Sequence, residues 1–155
     1  MSAVLAAVTP AAAQPAPVAD LDGTQLWIGP TGAARATAAG WESTWGGGVQ
    51  VLRIREHRAL AAVGGWLGAA HDASTDGGRV WLDAVVGTRR LGGWMVGLAA
   101  GPTVALAGDH HPRVGGAVAV WAFLGITPVV RVGVLDEAGA FVELGASLSL
   151  PAIRW

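Results

Sequence analysis

Four histidines and a scatter of carboxylates are the residues of this chain best suited to chemistry at neutral pH. His71-Asp72 and Asp109-His110-His111 fall in two polar gaps between apolar segments. Imidazole with carboxylate is a donor set for a divalent ion such as zinc. His71, His110 and His111 are therefore the metal candidates, but their spacing is too loose to count as a motif. The expectation is two polar loops that happen to carry histidine, with no cofactor. His57, between Glu56 and Arg58, reads as a solvated turn residue. Ser147 and Ser149 share a strand face with Glu143, yet no histidine lies on that wall. A nucleophilic serine needs a base within hydrogen-bond reach, so no enzyme is expected. Cysteine is absent, which excludes disulfides, thiolate metal sites and cysteine nucleophiles.

Asp83, Arg131 and Glu143 are a different case. They are isolated charges on strand faces made mostly of Gly, Ala, Ser and Thr. A buried charge must be paired, so two acids with one or more arginines are expected to close into an internal charge network.

These residues need elements to hold them. Between Thr24 and Trp155 the chain divides into eight short apolar segments. The clearest is Arg79–Arg89, where Val80, Leu82, Ala84 and Val86 alternate with Trp81, Asp83, Val85 and Gly87. Side chains two apart share a face of a strand, so one face is aliphatic and the other carries charge. Ala140–Leu150 repeats the scheme, with Val142, Leu144, Ala146, Leu148 and Leu150 opposite Phe141, Glu143, Gly145, Ser147 and Ser149. Gly46–Arg55 fits worst, because Val49 and Val51 share a face with Arg53 and Arg55. Gaps 37–45, 71–78 and 106–114 are long and polar, and those between them are tight. The spacing predicts an all-β, eight-stranded antiparallel up-and-down transmembrane β-barrel with short periplasmic turns. Its aliphatic rows would face outward and its small, sparsely charged rows inward.

Composition agrees. The chain of 155 residues is 52% hydrophobic and only 14% charged, too apolar for an ordinary solvated surface. A net charge of −1 leaves no electrostatic footprint for nucleic acid. Residues 1–13 end in Ala11-Ala12-Ala13 and read as a signal peptide truncated before its basic segment. A Pro-rich spacer, 14–23, follows, and 24–155 is the barrel domain.

A helical membrane protein is the rival architecture. Leu91–Gly108 carries no charge over 18 residues and includes Gly93, Gly97 and Gly101 at helix-packing spacing. Pro102, Pro128 and the strict alternation elsewhere count against it.

Eight tryptophans and no tyrosine bear on the membrane directly. Indole rings favour the interface, where an apolar ring and a polar N–H are both satisfied. Trp27, Trp66, Trp94 and Trp155 are assigned to such girdles, whereas Trp81 and Trp121 have the parity of the inner face.

Taken together, Thr24–Trp155 resembles the small eight-stranded outer-membrane barrels of the OmpA/OmpX type. The resemblance rests on pattern over most of the chain. It implies a bacterial outer-membrane location, with the lipid bilayer and the barrel assembly machinery as partners. Members commonly end in an aromatic residue that the machinery reads, the place Trp155 occupies. Trp155 counts to the face opposite the Val142–Leu150 row unless a bulge near Pro151 restores the phase. The function expected is structural or surface-interacting through loops 37–45, 71–78 and 106–114. The alternatives are a small pore or transport barrel, and a soluble barrel resembling lipocalins or avidin.

Overall fold

A computed structural model describes residues 21–155 except 75, 89–93, 107–110 and 124. The signal peptide expected over 1–13 and most of the spacer lie outside the described residues, as does His110. Nine strands follow one another: β1 (Gly23–Thr37), β2 (Gly40–Ile54), β3 (Leu60–Asp72), β4 (Gly77–Thr88), β5 (Met95–Leu106), β6 (Arg113–Phe123), β7 (Ile126–Leu135), β8 (Gly139–Leu148) and β9 (Leu150–Arg154). From β1 to β8 each pairs antiparallel with the next, and β1 also pairs with β8 and, further along, with β9, closing the sheet. No helix occurs among the described residues. Of the charge-free stretch Leu91–Gly108 that could have been a helix, Met95–Leu106 forms β5.

β8 and β9 are one strand in register. Thr31 lies opposite Ser147 and Ile28 opposite Leu150, without a shift between them. The barrel is therefore eight-stranded. Starting at Leu26 and stepping through Val51, Gly65, Ala84, Ala100, Val118, Val132 and Val142, the register returns to β1 at Ala36, ten residues further along. That stagger tilts the strands by about 40° for ordinary strand rise and spacing.

Alternation decides what faces where. Val80, Leu82, Leu98, Val118, Val120, Val130, Val132, Val134, Leu144 and Leu148 are all exposed, whereas Arg79, Asp83, Thr103, Arg131, Glu143 and Ser147 are buried. A soluble barrel has the opposite arrangement. The awkward β2 needs no bulge: Trp45, Val49, Val51 and Arg53 are exposed along one face, with Arg55 following beyond the strand. The arginines leave the aliphatic belt at its end without interrupting it.

The connections correct the expected loop lengths. Pairing of β1 with β2 runs to Thr37 opposite Gly40, so only Ala38 and Ala39 lie between the strands. Gly40, at φ 126°, supplies the left-handed backbone such a tight turn needs. The gap expected over 37–45 is thus mostly strand. Those at 71–78 and 106–114 shrink to 73–76 and 107–112. Strand pairing continues into polar sequence because the cross-strand neighbours Arg35 and Glu42 form an ion pair.

Candidate functional site

The lumen is where charge and aromatic volume converge. Its lower part, toward the β2–β3 turn, is apolar: Trp27, Leu52, Ile54, Trp66, Val85, Met95, Trp121 and Val129 belong to one buried cluster. Phe123 packs against it, meeting Trp27 edge-on at 5.2 Å between ring centroids. Only about 20 Å³ of open space remains among these side chains.

Above the cluster two ion pairs cross the lumen. Arg131 of β7 reaches Asp83 of β4 with both guanidinium nitrogens, Nη2 to Oδ2 at 2.6 Å and Nη1 to Oδ1 at 3.4 Å. Arg79 of β4 donates to Glu143 of β8. The expected network of Asp83, Arg131 and Glu143 therefore divides into two pairs, and Arg79 is the member that sequence reading did not single out. The signal was available, since Arg79 has the parity of Asp83 on the same strand. Both guanidiniums also lie against aromatic rings. Arg131 is 4.9 Å from the Trp81 centroid and 5.6 Å from that of Trp66; Arg79 is 5.5 Å from Trp81 and 5.1 Å from Phe141. A ring face attracts a desolvated cation.

The indoles fit because the wall opposite them is bare. A Cβ at Gly68 would fall inside the van der Waals envelope of the Trp81 ring. Trp66 and Trp81 then meet edge-to-face at 6.0 Å. This corrects two of the four interface assignments. Trp27 and Trp66 are 6% and 4% exposed and point into the lumen, because they share parity with Gln25 and Asp72 respectively. Trp94 and Trp155 are exposed, and Trp41 and Trp45 supply exposed rings at the opposite end.

At the loop end the lumen widens into a vestibule of about 260 Å³, bordered by Arg35, Glu42, Asp72, Arg113 and Phe141. Arg35 bridges Glu42 and Asp72, with Nε to Glu42 Oε1 at 2.7 Å and Nη2 to Asp72 Oδ2 at 2.7 Å. Ser74 donates to the other Glu42 oxygen at 2.6 Å. His71 stands beside this rim against Trp45, ring centroids 5.4 Å apart, and His111 and His57 are exposed. Among the described residues no group of three metal-ligating side chains converges. Ser149 meets Thr127, their oxygens 3.3 Å apart, on the lumenal wall below Glu143.

Trp155 resolves its parity through a bulge. Trp27 lies opposite Pro151 but Leu26 opposite Ile153, so Ala152 is the extra residue. The phase is restored, and Trp155 is exposed together with Leu150 and Ile153.

No protein-family model and no curated protein sequence matches this chain. Among solved structures it is similar to Ail, the attachment invasion locus protein of Yersinia pestis, at 12% identity. That likeness covers 84% of this chain and all of Ail, with a TM-score of 0.23. The architecture stands on its own strands: a closed, eight-stranded, antiparallel up-and-down barrel, as in the small bacterial outer-membrane barrels.

Proposed function

We propose that this chain is a bacterial outer-membrane barrel with a packed interior, serving a structural or surface-interaction role through the connections between β1 and β2, β3 and β4, and β5 and β6. One observation carries the reading: a belt of exposed Val, Leu and Ile runs round the outside, whereas Arg35, Asp72, Arg79, Asp83, Arg131 and Glu143 are buried inside. Water would leave that belt as an exposed apolar surface far beyond what a soluble monomer tolerates; hydrocarbon solvates it. Paired exposed tryptophans, Trp94 and Trp155 at one end and Trp41 and Trp45 at the other, suit two interfacial girdles. The outward turn of Trp155 after the Ala152 bulge supports its reading as the aromatic at the close of the last strand that the barrel assembly machinery recognises. No catalytic role is assigned to any residue.

The test is gel mobility of the protein folded in phosphatidylcholine vesicles. A membrane barrel migrates differently before and after boiling and stays with the vesicles through a carbonate wash. Release into the supernatant, with one mobility throughout, defeats the membrane reading.

A further inference from the structure

Among the described residues, the outward face carries its unpaired arginines at the turn end. On β2 the aliphatic run Val49–Val51 gives way to Arg53; Arg55 follows just past the end of the strand, its amide donating to Ala61 O at 2.7 Å, and Arg58 follows in the turn, all three exposed. Among the described residues none of the three makes a side-chain hydrogen bond or ion pair. Of the acids nearby, Asp22 Oδ1 accepts the Glu56 amide at 2.6 Å, and Glu56 Oε1 accepts the Leu21 amide at 3.1 Å. At the loop end the fully exposed charges among the described residues are acidic, Asp76, Asp136 and Glu137.

An exposed ring completes the patch. Trp155 exchanges both backbone hydrogen bonds with Thr24, at 3.1 and 3.0 Å, and Thr24 lies opposite Arg53. Trp155 and Arg53 are thus level and two strand spacings apart, about 10 Å. Arg55 is two residues beyond Arg53, at most about 7 Å along an extended chain. Two guanidiniums so spaced can converge on one phosphate, which guanidinium geometry matches.

We propose that Arg53 and Arg55, flanked by Trp155, bind the phosphate of an anionic glycerophospholipid in the leaflet at the turn end. The proposal rests on the membrane reading above. The belt ends where the arginines begin, which puts their charge at headgroup depth and gives an anionic lipid an advantage over a zwitterionic one.

The experiment uses the whole protein folded in phosphatidylcholine vesicles containing phosphatidylglycerol as the minor lipid. Lipids retained after gentle extraction are counted by native mass spectrometry. The wild type is expected to retain phosphatidylglycerol over its abundance by on the order of ten-fold, falling as salt is raised. R53K/R55K, which keeps the charge without the guanidinium fork, loses part of that preference, and R53Q/R55Q loses it. Equal retention of the two lipids by the wild type, or an unchanged preference in a folded R53Q/R55Q, overturns the proposal. Heat-shifted mobility in pure phosphatidylcholine is read in parallel. Its presence with no lipid preference sinks the site alone, and its absence sinks site and membrane reading together.

Discussion

Asp83 and Arg131 meet side-on deep in the lumen, 1% exposed each. Taking two charges out of water is costly, and their mutual attraction offsets the cost only when the geometry is good. Removing one partner is worse than removing both. Arg131→Met is expected to destabilise the barrel by about 3–5 kcal/mol, because it strands the Asp83 carboxylate. D83L/R131M should recover most of that loss. Urea titration of the folded protein in vesicles reads the difference, and a double variant as unstable as the single one would show that the pair itself contributes the stability. Packing between Gly68 and Trp81 makes a second claim at this scale. Gly68→Ala drives a methyl into the ring and should cost about 1–3 kcal/mol. In a Trp81→Leu background the same change should cost little, since the obstructing ring is gone. Additive losses in the two backgrounds would contradict the contact.

At the scale of the strand, parity was legible and height was not. Alternation in β4 and β8 announced which residues face the lumen, and the exposed Val80–Leu82 and Val142–Leu144 rows follow it. β2 looked irregular only because a linear pattern does not mark where a belt ends; Arg53 and Arg55 keep the outward parity of Val49 and Val51. Trp27 and Trp66 were misassigned for a related reason. An indole's taste for interfaces is a preference of composition, and parity overrules it where wall glycines leave a ring-sized space. The partner of Glu143 was hidden as well, since which acid meets which arginine across a lumen depends on stagger and tilt. Gap lengths failed where polar residues pair across a hairpin, as Arg35 and Glu42 do. The same logic yields two predictions. Val118 is exposed midway along β6, and on the membrane reading Val118→Arg should cost about 2–4 kcal/mol in vesicles; a loss near zero would mean that this face meets water. Deleting Ala152 removes the bulge and turns Trp155 from the outward face. The fraction that attains heat-shifted mobility should then fall, while Ala152→Ser, which keeps the bulge, should fold like the wild type.

For the molecule as a whole, the distribution of open space decides between a vestibule and a channel. About 260 Å³ lies at the loop end and about 20 Å³ within the cluster around Trp27, Trp66 and Trp121. Two ion pairs separate these regions. A barrel of eight strands has an interior that side chains can fill, and here the filling is apolar toward one mouth and ionic in the middle. An ion entering from the loop end would meet Arg35, Glu42 and Asp72, which can exchange with its hydration shell, then the crossed pairs, then rings that offer it no coordinating oxygen. The apolar cluster is therefore the barrier that closes the barrel. Planar-bilayer recordings of the wild type should show no stable conductance steps. Breaking a pair with Arg131→Met should leave the trace silent, because the rings below still exclude water. Trp66→Ala with Trp121→Ala removes two of those rings and should produce steps. Conductance in Arg131→Met, with the rings intact, would shift the barrier to the ion pairs and restore the small-pore reading.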